Sequence, residues 1–320
     1  MTLTRRTFLG VAGALGCAAA FPAIAAKPLT IGFSQVGAES EWRTANTTSI
    51  KDAAKRAGIN LKFADAQQQQ QNQVKAIRSF IAQRVDIIAF SPVVETGWET
   101  VLREAKNARI PVILTDRAVK VSDPSLYVSF IGSDFVEEGR RAGRWLLDYA
   151  KKNGDKPLNI VELQGTTGAA PANDRKKGFA EVIATNPKLK IVRSQTGDFT
   201  RAKGKEVMEA FLKSEGKNIN VLYAHNDDMA IGAIQAIEEA GLKPGKDIVI
   251  VSIDGVRGAF EAMMQGKLNV TVECNPLLGP LLVQTAQQVA AGKPVSKRIT
   301  VNEGVFPAEV AAKEFPNRKY

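Results

Sequence analysis

Short apolar runs alternate with amphipathic segments along this chain. The runs predict strands at 29–33, 85–90, 112–114, 159–163, 191–195, 221–224, 248–253 and 269–273. They are nearly continuous in apolar residues, which is typical of strands buried on both faces of a parallel sheet. Between them, apolar residues recur every three or four positions, as at Val74, Ile77 and Ile81, and this spacing predicts helices. The alternation therefore predicts an α/β fold with helices covering parallel sheets.

The predicted strands fall into two sets. One set precedes residue 130 and the other follows residue 158, with a helix predicted around residues 135–152 between them. Each set is large enough to form its own doubly wound sheet. The sequence therefore predicts two lobes with a cleft between them.

Polar clusters follow three of the apolar runs. They are Thr115-Asp116-Arg117, His225-Asn226-Asp227-Asp228 and Asp254-Gly255. Ligands of open parallel sheets bind outside the carboxyl ends of the strands, so these clusters predict a convergent polar pocket. Carboxylates, an amide and an arginine together suit a small hydroxylated ligand.

The first 25 residues resemble an export signal. Arg5 and Arg6 precede Phe8-Leu9, an apolar stretch follows, and Ala23-Ile24-Ala25 forms a small-x-small cleavage site. The paired arginines are typical of the twin-arginine route, and the prediction is a cleaved, periplasmic protein. One alternative is an uncleaved membrane anchor over residues 8–26, which Pro22 disfavours. The other is lipidation at Cys17, which is disfavoured because no large apolar residue lies three positions before the cysteine.

Composition and charge restrict the class of protein. The chain has 320 residues, is 44% hydrophobic and has a mean hydropathy of −0.12, all ordinary for a globular protein. Removing residues 1–25 takes away two arginines and lowers the net charge from +10 to +8. The remaining basic residues are scattered among acids, which argues against nucleic-acid binding. Only Cys274 follows the signal, so no internal disulfide is expected, and it is interpreted as a small buried hydrophobic residue.

Several longer strings carry a family resemblance. They are Gly32-Phe33-Ser34-Gln35, residues 111–117, residues 174–179, Gly197-Asp198-Phe199, residues 226–230 and Ile253-Asp254-Gly255. Together they resemble the pentose- and hexose-binding periplasmic proteins of bacterial ABC importers. Residues 32–37, 39–43, 161–165 and 223–228 resemble its galactofuranose-binding branch. The resemblance covers nearly the whole chain after the signal.

The resemblance implies two doubly wound lobes joined by three crossover segments. By that likeness, residues 27–131 and 275–296 form the first lobe, and residues 132–274 and 297–320 the second. The implied function is a monomeric receptor that closes over a furanose sugar and presents it to a membrane permease with its ATPase. Arabinose, ribose or another pentose or hexose is the alternative ligand, and no cofactor is expected.

Five polar residues suit sugar hydroxyl groups, which both donate and accept hydrogen bonds. Asp116 can accept while Arg117 donates, and charge-assisted bonds of this kind are stronger than neutral ones. Arg175 and Asn226 are expected to contribute from the other lobe, with Asp254 as a second carboxylate.

Aromatic and further charged residues complete the expected site. Trp42, Phe33 or Phe199 is expected to cover the apolar face of the sugar, with Trp42 partly exposed. The additional polar candidates are Arg43, Glu39 and Glu273. Of two neighbouring residues, Asn226 is assigned to the sugar and Asp227 to the N-cap of the following helix.

Two other classes of function are less well supported by the sequence. Asp116 and Asp254 could form a glycosidase pair, but arginine and hydroxyl partners are expected to keep both ionised, which does not suit a general acid. His225 is the only histidine, so a histidine metal cluster is excluded. A sugar-responsive transcription regulator would need a DNA-binding module where the export signal is predicted.

Overall fold

The computed structural model describes Thr2 and residues 27–320, so the predicted signal segment lies outside the described residues apart from Thr2. The first part of the described chain contains β1 (Thr30–Gln35), α1 (Glu41–Arg56), β2 (Asn60–Asp65), α2 (Gln70–Ala82), β3 (Ile87–Phe90), α3 (Glu99–Asn107), β4 (Val112–Thr115) and β5 (Ser129–Gly132). Strands and helices alternate strictly up to β4, as the hydrophobic pattern predicts.

The second part continues the same alternation. It contains α4 (Phe135–Lys152), β6 (Leu158–Gln164), α5 (Ala170–Ile183), β7 (Leu189–Thr196), α6 (Arg201–Glu215), β8 (Val221–Ala224), α7 (Asp227–Glu239), β9 (Val249–Asp254), α8 (Arg257–Met264), β10 (Val270–Glu273), α9 (Gly279–Ala290), β11 (Arg298–Thr300), β12 (Val305–Pro307) and α10 (Ala311–Glu314). No helix among the described residues is both long and apolar enough to cross a membrane.

The strands form two six-stranded sheets, which confirms the predicted two-lobed α/β fold. The first sheet has the order β11-β5-β4-β3-β1-β2 and is parallel throughout. The second has the order β12-β10-β9-β8-β6-β7, and only β12 runs antiparallel to its neighbour. The chain passes between the lobes three times, after β5, after β10 and after β11.

The last crossover differs from the sequence-based boundary. Residues 297–320 were all expected in the second lobe, but β11 pairs with β5 at the edge of the first sheet. The crossover therefore follows Thr300. Strands β2, β5, β11 and β12 were not predicted. Strands β2, β11 and β12 are partly exposed edge strands that lack a continuous apolar run. Strand β5 is buried, but only two of its four residues, Phe130 and Ile131, are large and apolar.

Separate hydrophobic cores stabilise the lobes. The two faces of the first sheet are covered by one cluster around Phe90 and Trp98 and another around Phe33 and Ile50. The second lobe has one large cluster that surrounds its sheet, and Trp42 of α1 reaches across to join it. The carboxyl ends of the central strands of both sheets are thereby held facing each other.

Candidate functional site

A cavity of about 290 Å³ lies between the lobes, at the carboxyl ends of strands from both sheets. The lining residues are Glu39, Ser40, Trp42, Arg43, Asp116, Arg117, Pro171, Arg175, Phe199, Asn226, Asp254 and Cys274. Nine of the eleven residues predicted from the sequence are among them. A wider groove near Lys27 and Arg109 lies at the amino ends of the first-lobe strands, and none of the predicted site residues lines it.

The first lobe contributes two arginines interleaved with two carboxylates. Arg43 Nε lies 3.0 Å from Glu39 Oε1, and Arg43 Nη1 lies 2.8 Å from Asp116 Oδ2. Arg117 is farther from both acids, at 3.8 Å from Glu39 Oε1 and 3.7 Å from Asp116 Oδ2. All four side chains are almost fully buried. Arg43 is thus committed to its partners, whereas Arg117 keeps donors available to a ligand.

Burial and neighbouring charges set the protonation of this group. Burial by itself would lower the pKa of Arg43, but Asp116 and Glu39 outweigh burial and raise that pKa. Burial and then the neighbouring Arg43 lower the pKa of Arg117 to about 10. Burial favours the neutral form of Glu39, yet Arg43 and Arg117 lower its pKa below the ordinary value. Glu39 therefore remains an acceptor and Arg117 a donor at neutral pH.

The second lobe contributes Arg175 from α5. Its Nε lies 2.7 Å from Glu138 Oε2, and its Nη1 donates to the carbonyl oxygen of His225 at 2.6 Å. Its Nη2 lies 3.6 Å from Asp254 Oδ1, which is too long for a hydrogen bond. Arg175 is thereby fixed on two sides while its third edge faces the cavity.

Asp254 differs from its predicted state. Arginine was expected to keep this carboxyl ionised, but burial raises its pKa well above the ordinary value despite Arg175. Its backbone φ is +134°, in a region that residues other than glycine rarely adopt. Such strain persists only where the surroundings enforce it, and it is common at binding sites.

Phe199 provides an aromatic wall of the cavity. Its φ is +62°, and Arg117 Cζ lies 5.3 Å from the centre of its ring, across the cleft. A Cβ atom on Gly165 would lie 1.8 Å from the Phe199 ring, so only glycine at position 165 leaves room for this side chain. Trp42 also lines the cavity, but it is 5% exposed rather than partly exposed as predicted. Its Nε1 donates to the Cys274 carbonyl at 2.6 Å, which satisfies the indole in a buried position.

Phe33 and Glu273 do not line the cavity. Phe33 lies within β1, which continues two residues beyond the predicted end, and its ring stacks on Phe63 in the first-lobe core at 6.1 Å. Glu273 Oε1 instead accepts hydrogen bonds from Arg318 at 2.8 Å and Tyr320 at 2.9 Å. Both predictions are corrected because each side chain is committed to a partner outside the cleft.

The assignment of Asn226 and Asp227 is also corrected. Asn226 is the N-cap of α7, since its Oδ1 accepts from Met229 N–H at 3.0 Å. Asp227 instead accepts from Thr271 Oγ1 at 2.8 Å and from Gly255 N–H at 2.7 Å, tying β9 and β10 together. Asn226 still lines the cavity, and its amide donates to the Phe199 carbonyl at 3.1 Å.

Three lining residues were missed by the sequence analysis. Ser40 is the N-cap of α1, Pro171 is in the first turn of α5, and Cys274 immediately follows β10. Ser40 and Cys274 each follow a predicted site residue, Glu39 and Glu273, and this adjacency is the one feature of the sequence that could have indicated them. Pro171 offered none, since it carries no polar side-chain group.

The family of the chain follows from a sequence comparison. Residues 31–294 match the model of the family described as periplasmic binding protein domain. This chain belongs to the periplasmic binding protein family. It is therefore a periplasmic solute-binding protein, which confirms the resemblance and the fold predicted from the sequence.

Individual relatives of this periplasmic binding protein carry sugar-related names. The galactofuranose-binding protein of Escherichia coli is 53% identical, with 97% of each chain covered. A crystal structure from Mycobacterium smegmatis in complex with β-D-fucofuranose is 61% identical, with a TM-score of 0.89 and coverage of 91% of this chain and 95% of that one. The periplasmic component of the arabinose ABC transporter from Shewanella sp. ANA-3, bound to α- and β-L-arabinofuranose, is 55% identical, with a TM-score of 0.87 and coverage of 91% and 95%. The Escherichia coli and Shewanella relatives are named as binding proteins, in agreement with the prediction that the chain is not an enzyme.

The two lobes of this periplasmic binding protein contact each other at both rims of the cleft. At one rim, Asp228 Oδ2 of the second lobe accepts from the Glu41 N–H of the first lobe at 2.8 Å, and Arg201 lies 3.0 Å from the Glu41 carboxylate. At the other rim, Glu95 Oε2 accepts from Asn173 Nδ2 at 2.7 Å. The cleft is thus in a closed arrangement.

Proposed function

We propose that this periplasmic binding protein captures a furanose sugar, of the galactofuranose or arabinofuranose type, and delivers it to an ABC permease. The observation that carries the proposal is a closed cavity to which both lobes contribute hydrogen-bonding groups. Arg117 Nε and Glu39 Oε2 are buried and have no hydrogen-bond partner within the described part of the chain. Buried polar groups of this kind are normally paired, so a donor and an acceptor facing the cleft fit a hydroxylated ligand.

The charge balance of the site supports a neutral sugar over an anionic one. Arg43 and Arg117 are offset by Glu39 and Asp116 in the first lobe. In the second lobe, Arg175 is paired with Glu138. Since each cation already has a carboxylate partner, a ligand with a negative charge would find no excess positive charge to compensate it.

Three relatives support the furanose ring form. They are named or titled for galactofuranose, fucofuranose and arabinofuranose, and all are more than half identical to this chain. Ribose import binding proteins are about 30% identical, so ribose or another pentose is the second candidate ligand. The chemistry of the cavity is compatible with both, because hydroxyl groups on either ring can satisfy the same donors and acceptors.

The mechanism is stabilisation of the closed form by ligand. Arg117 lies on one lobe and Arg175 on the other, so a sugar can contact both only when the cleft is closed. A ligand with this preference shifts the population toward closure, and the permease would recognise the closed surface. We propose that the protein acts as a monomer, because one chain contains the complete cavity. We also propose that it binds no nucleic acid, because its basic residues are scattered among acidic ones.

A sugar panel tests the proposed function. D-galactose, D-fucose, L-arabinose, D-ribose and D-fructose would be compared by thermal shift and calorimetry, with Arg175→Met as the control for binding outside the cleft. A true ligand at about a hundred times its Kd stabilises the protein by roughly 2.7 kcal/mol. We expect D-galactose, D-fucose or L-arabinose to stabilise the protein more than D-ribose, and loss of that effect in the control. Stabilisation by none of these sugars, or an unchanged effect in Arg175→Met, would refute the assignment.

Export is proposed to follow the twin-arginine route. Lysine at both positions 5 and 6 preserves the charge but removes the arginine pair. We expect the Arg5→Lys, Arg6→Lys precursor to remain in the cytoplasm in cell fractionation, while a single Lys27→Arg control is exported. Normal export of the double variant would favour the general secretory route.

A further inference from the structure

Glu303 contacts all three segments that connect the lobes. It lies in the third crossover, between β11 and β12, and its Oε1 accepts from Ser133 Oγ in the first crossover and from Asn275 N–H in the second at 2.9 Å. Its backbone carbonyl also accepts from Arg141 of α4 at 2.6 Å. A single side chain therefore joins the whole hinge.

The Glu138–Arg175 ion pair lies next to Glu303, and it leaves one oxygen of the Glu138 carboxylate without a hydrogen-bond donor from the described residues. Glu138 Oε2 is occupied by Arg175, but Glu138 Oε1 is buried and has no hydrogen-bond partner within residues 27–320. An unpaired buried acceptor costs about 1–3 kcal/mol, and more when it is charged. A carboxylate oxygen of Glu303 and the Cys274 Sγ lie within 4.8 Å of a Glu138 oxygen.

Two ionised carboxylates at this separation repel each other when buried, and the usual solution is a shared proton. We propose that Glu303 is a positioning residue for Arg175: its carboxylic acid donates a hydrogen bond to Glu138 Oε1, and so connects the sugar-facing arginine to the three crossovers. The proton is taken up from solvent and forms the O–H bond of the Glu303 carboxylic acid, and no other bond forms or breaks. The expected effect on sugar affinity rests on the proposed function. The protonation of Glu303 does not, because it can be measured on the protein without sugar.

The electrostatic surroundings support a protonated Glu303. Burial and the neighbouring Glu138 raise the pKa of Glu303 to about 9, against the opposing effects of Ser133, Asn275 and Arg175. Burial also raises the pKa of Glu138, but its ion pair with Arg175 opposes this and favours the charged form of Glu138. The titratable and charged side chains around Glu138 and Glu303 are Arg141 of α4, Arg175 of α5, Tyr223 of β8, Asp254 of β9, Cys274 after β10 and Arg298 of β11. Burial raises the pKa of Cys274, so the thiol stays neutral and adds no charge to the cluster.

The sign of the pH dependence follows from the raised pKa. The folded protein holds the Glu303 proton more tightly than the unfolded chain, so the resulting stabilisation is complete below the ordinary glutamate pKa and is lost as the pH rises through about 9. Above that pH, Glu138 Oε1 loses its donor and gains a negative neighbour. Arg175 is then less well held, and sugar affinity should fall.

Glu303→Gln tests this arrangement because its amide can donate to Glu138 while its oxygen still accepts from Ser133 and Asn275. Binding of the sugar found active in the panel would be measured by calorimetry from about pH 6 to about pH 10 in the wild type, Glu303→Gln and Glu303→Ala. Glu181→Gln, which changes an exposed glutamate of α5 paired with Arg140, is the control. Carbon-13 NMR of the side-chain carboxyls of the ligand-free protein would follow the Glu303 proton directly.

We expect wild-type and Glu181→Gln affinity to fall about tenfold for each pH unit above the Glu303 transition. Glu303→Gln affinity should stay nearly constant up to the pH at which Arg117 begins to lose its proton, near its pKa of about 10. Glu303→Ala should bind roughly tenfold more weakly at neutral pH, since it leaves Glu138 Oε1 unpaired. The same alkaline fall in Glu303→Gln, or an NMR transition of Glu303 near its ordinary pKa, would overturn the proposal. If no sugar in the panel binds, the proposed function fails, but the NMR titration still decides whether Glu303 carries the proton.

Discussion

Asp228 holds one rim of the closed cleft without touching the cavity, and Asp228→Ala is expected to weaken sugar binding from outside the site. Its Oδ2 accepts from the Glu41 N–H across the cleft at 2.8 Å, and its Oδ1 lies 2.6 Å from Arg201 Nε within the second lobe. Arg201 also lies 3.0 Å from the Glu41 carboxylate. Opening the lobes breaks the two contacts to Glu41 but keeps the pair of Asp228 with Arg201.

The magnitude follows from the contacts that exist only in the closed form. A hydrogen bond to a charged group contributes about 1.5–3 kcal/mol when buried. The rim is partly open to water, with the Arg201 side chain 50% exposed, and the two carboxylates repel each other, so we expect about 1–2 kcal/mol. This corresponds to a factor of about 5–30 in the closing equilibrium. The apparent affinity falls by the same factor when the free protein is mainly open.

Calorimetry gives the affinity of Asp228→Ala, and stopped-flow fluorescence gives its rates of association and dissociation. The loss should lie mainly in faster dissociation, because the rim contacts form after the sugar is bound. Glu239→Gln is the matched control, since Glu239 is at the other end of α7 and pairs with Lys205 inside the second lobe. Wild-type affinity and dissociation in a folded Asp228→Ala protein would refute the idea that this rim stabilises closure.

Other substitutions separate binding from stability. Arg117→Ala should weaken sugar binding by about 1–3 kcal/mol in calorimetry with an unchanged circular dichroism spectrum, and unchanged affinity would place the ligand elsewhere. Asn226→Ala should weaken binding and also lower the unfolding free energy by about 0.5–2 kcal/mol through loss of the α7 cap, while Asn226→Asp retains the cap; equal stability of the two variants would contradict this. Gly165→Ala should lower the melting temperature and weaken binding because its Cβ would displace Phe199, and a neutral result would show that the ring moves freely. Phe33→Leu should reduce stability by about 1 kcal/mol in urea unfolding but leave sugar affinity unchanged, whereas a loss of affinity would return Phe33 to the site.

The hydrophobic pattern was sufficient to predict most strands and the two-lobed arrangement. Strands β3, β4, β8 and β9 are buried on both faces, so their apolar runs are continuous and easily recognised. Edge strand β2 is partly exposed, and its mixture of polar and apolar residues gives no continuous apolar run by which it could be predicted. The pattern also predicted where a ligand would bind, because the carboxyl ends of parallel strands lie on one edge of a sheet.

Several neighbouring residues could be told apart only in three dimensions. Phe33 and Phe199 are both aromatic residues near predicted strand ends, but one is inside β1 and the other is in a loop with positive φ. The roles of Asn226 and Asp227 depend on the direction in which the chain enters α7, and both side chains are equally able to cap a helix.

The sequence by itself determined the fold class, the family and most of the residues around the cleft, because these depend on local periodicity and on strings of adjacent residues. The protonation of the site and the coupling of the hinge were decided by the tertiary structure alone. Glu138 and Glu303 are far apart in the chain, and their interaction arises only where three crossovers meet behind Arg175. Desolvation and charge proximity act through space, so no pattern along the chain could indicate them.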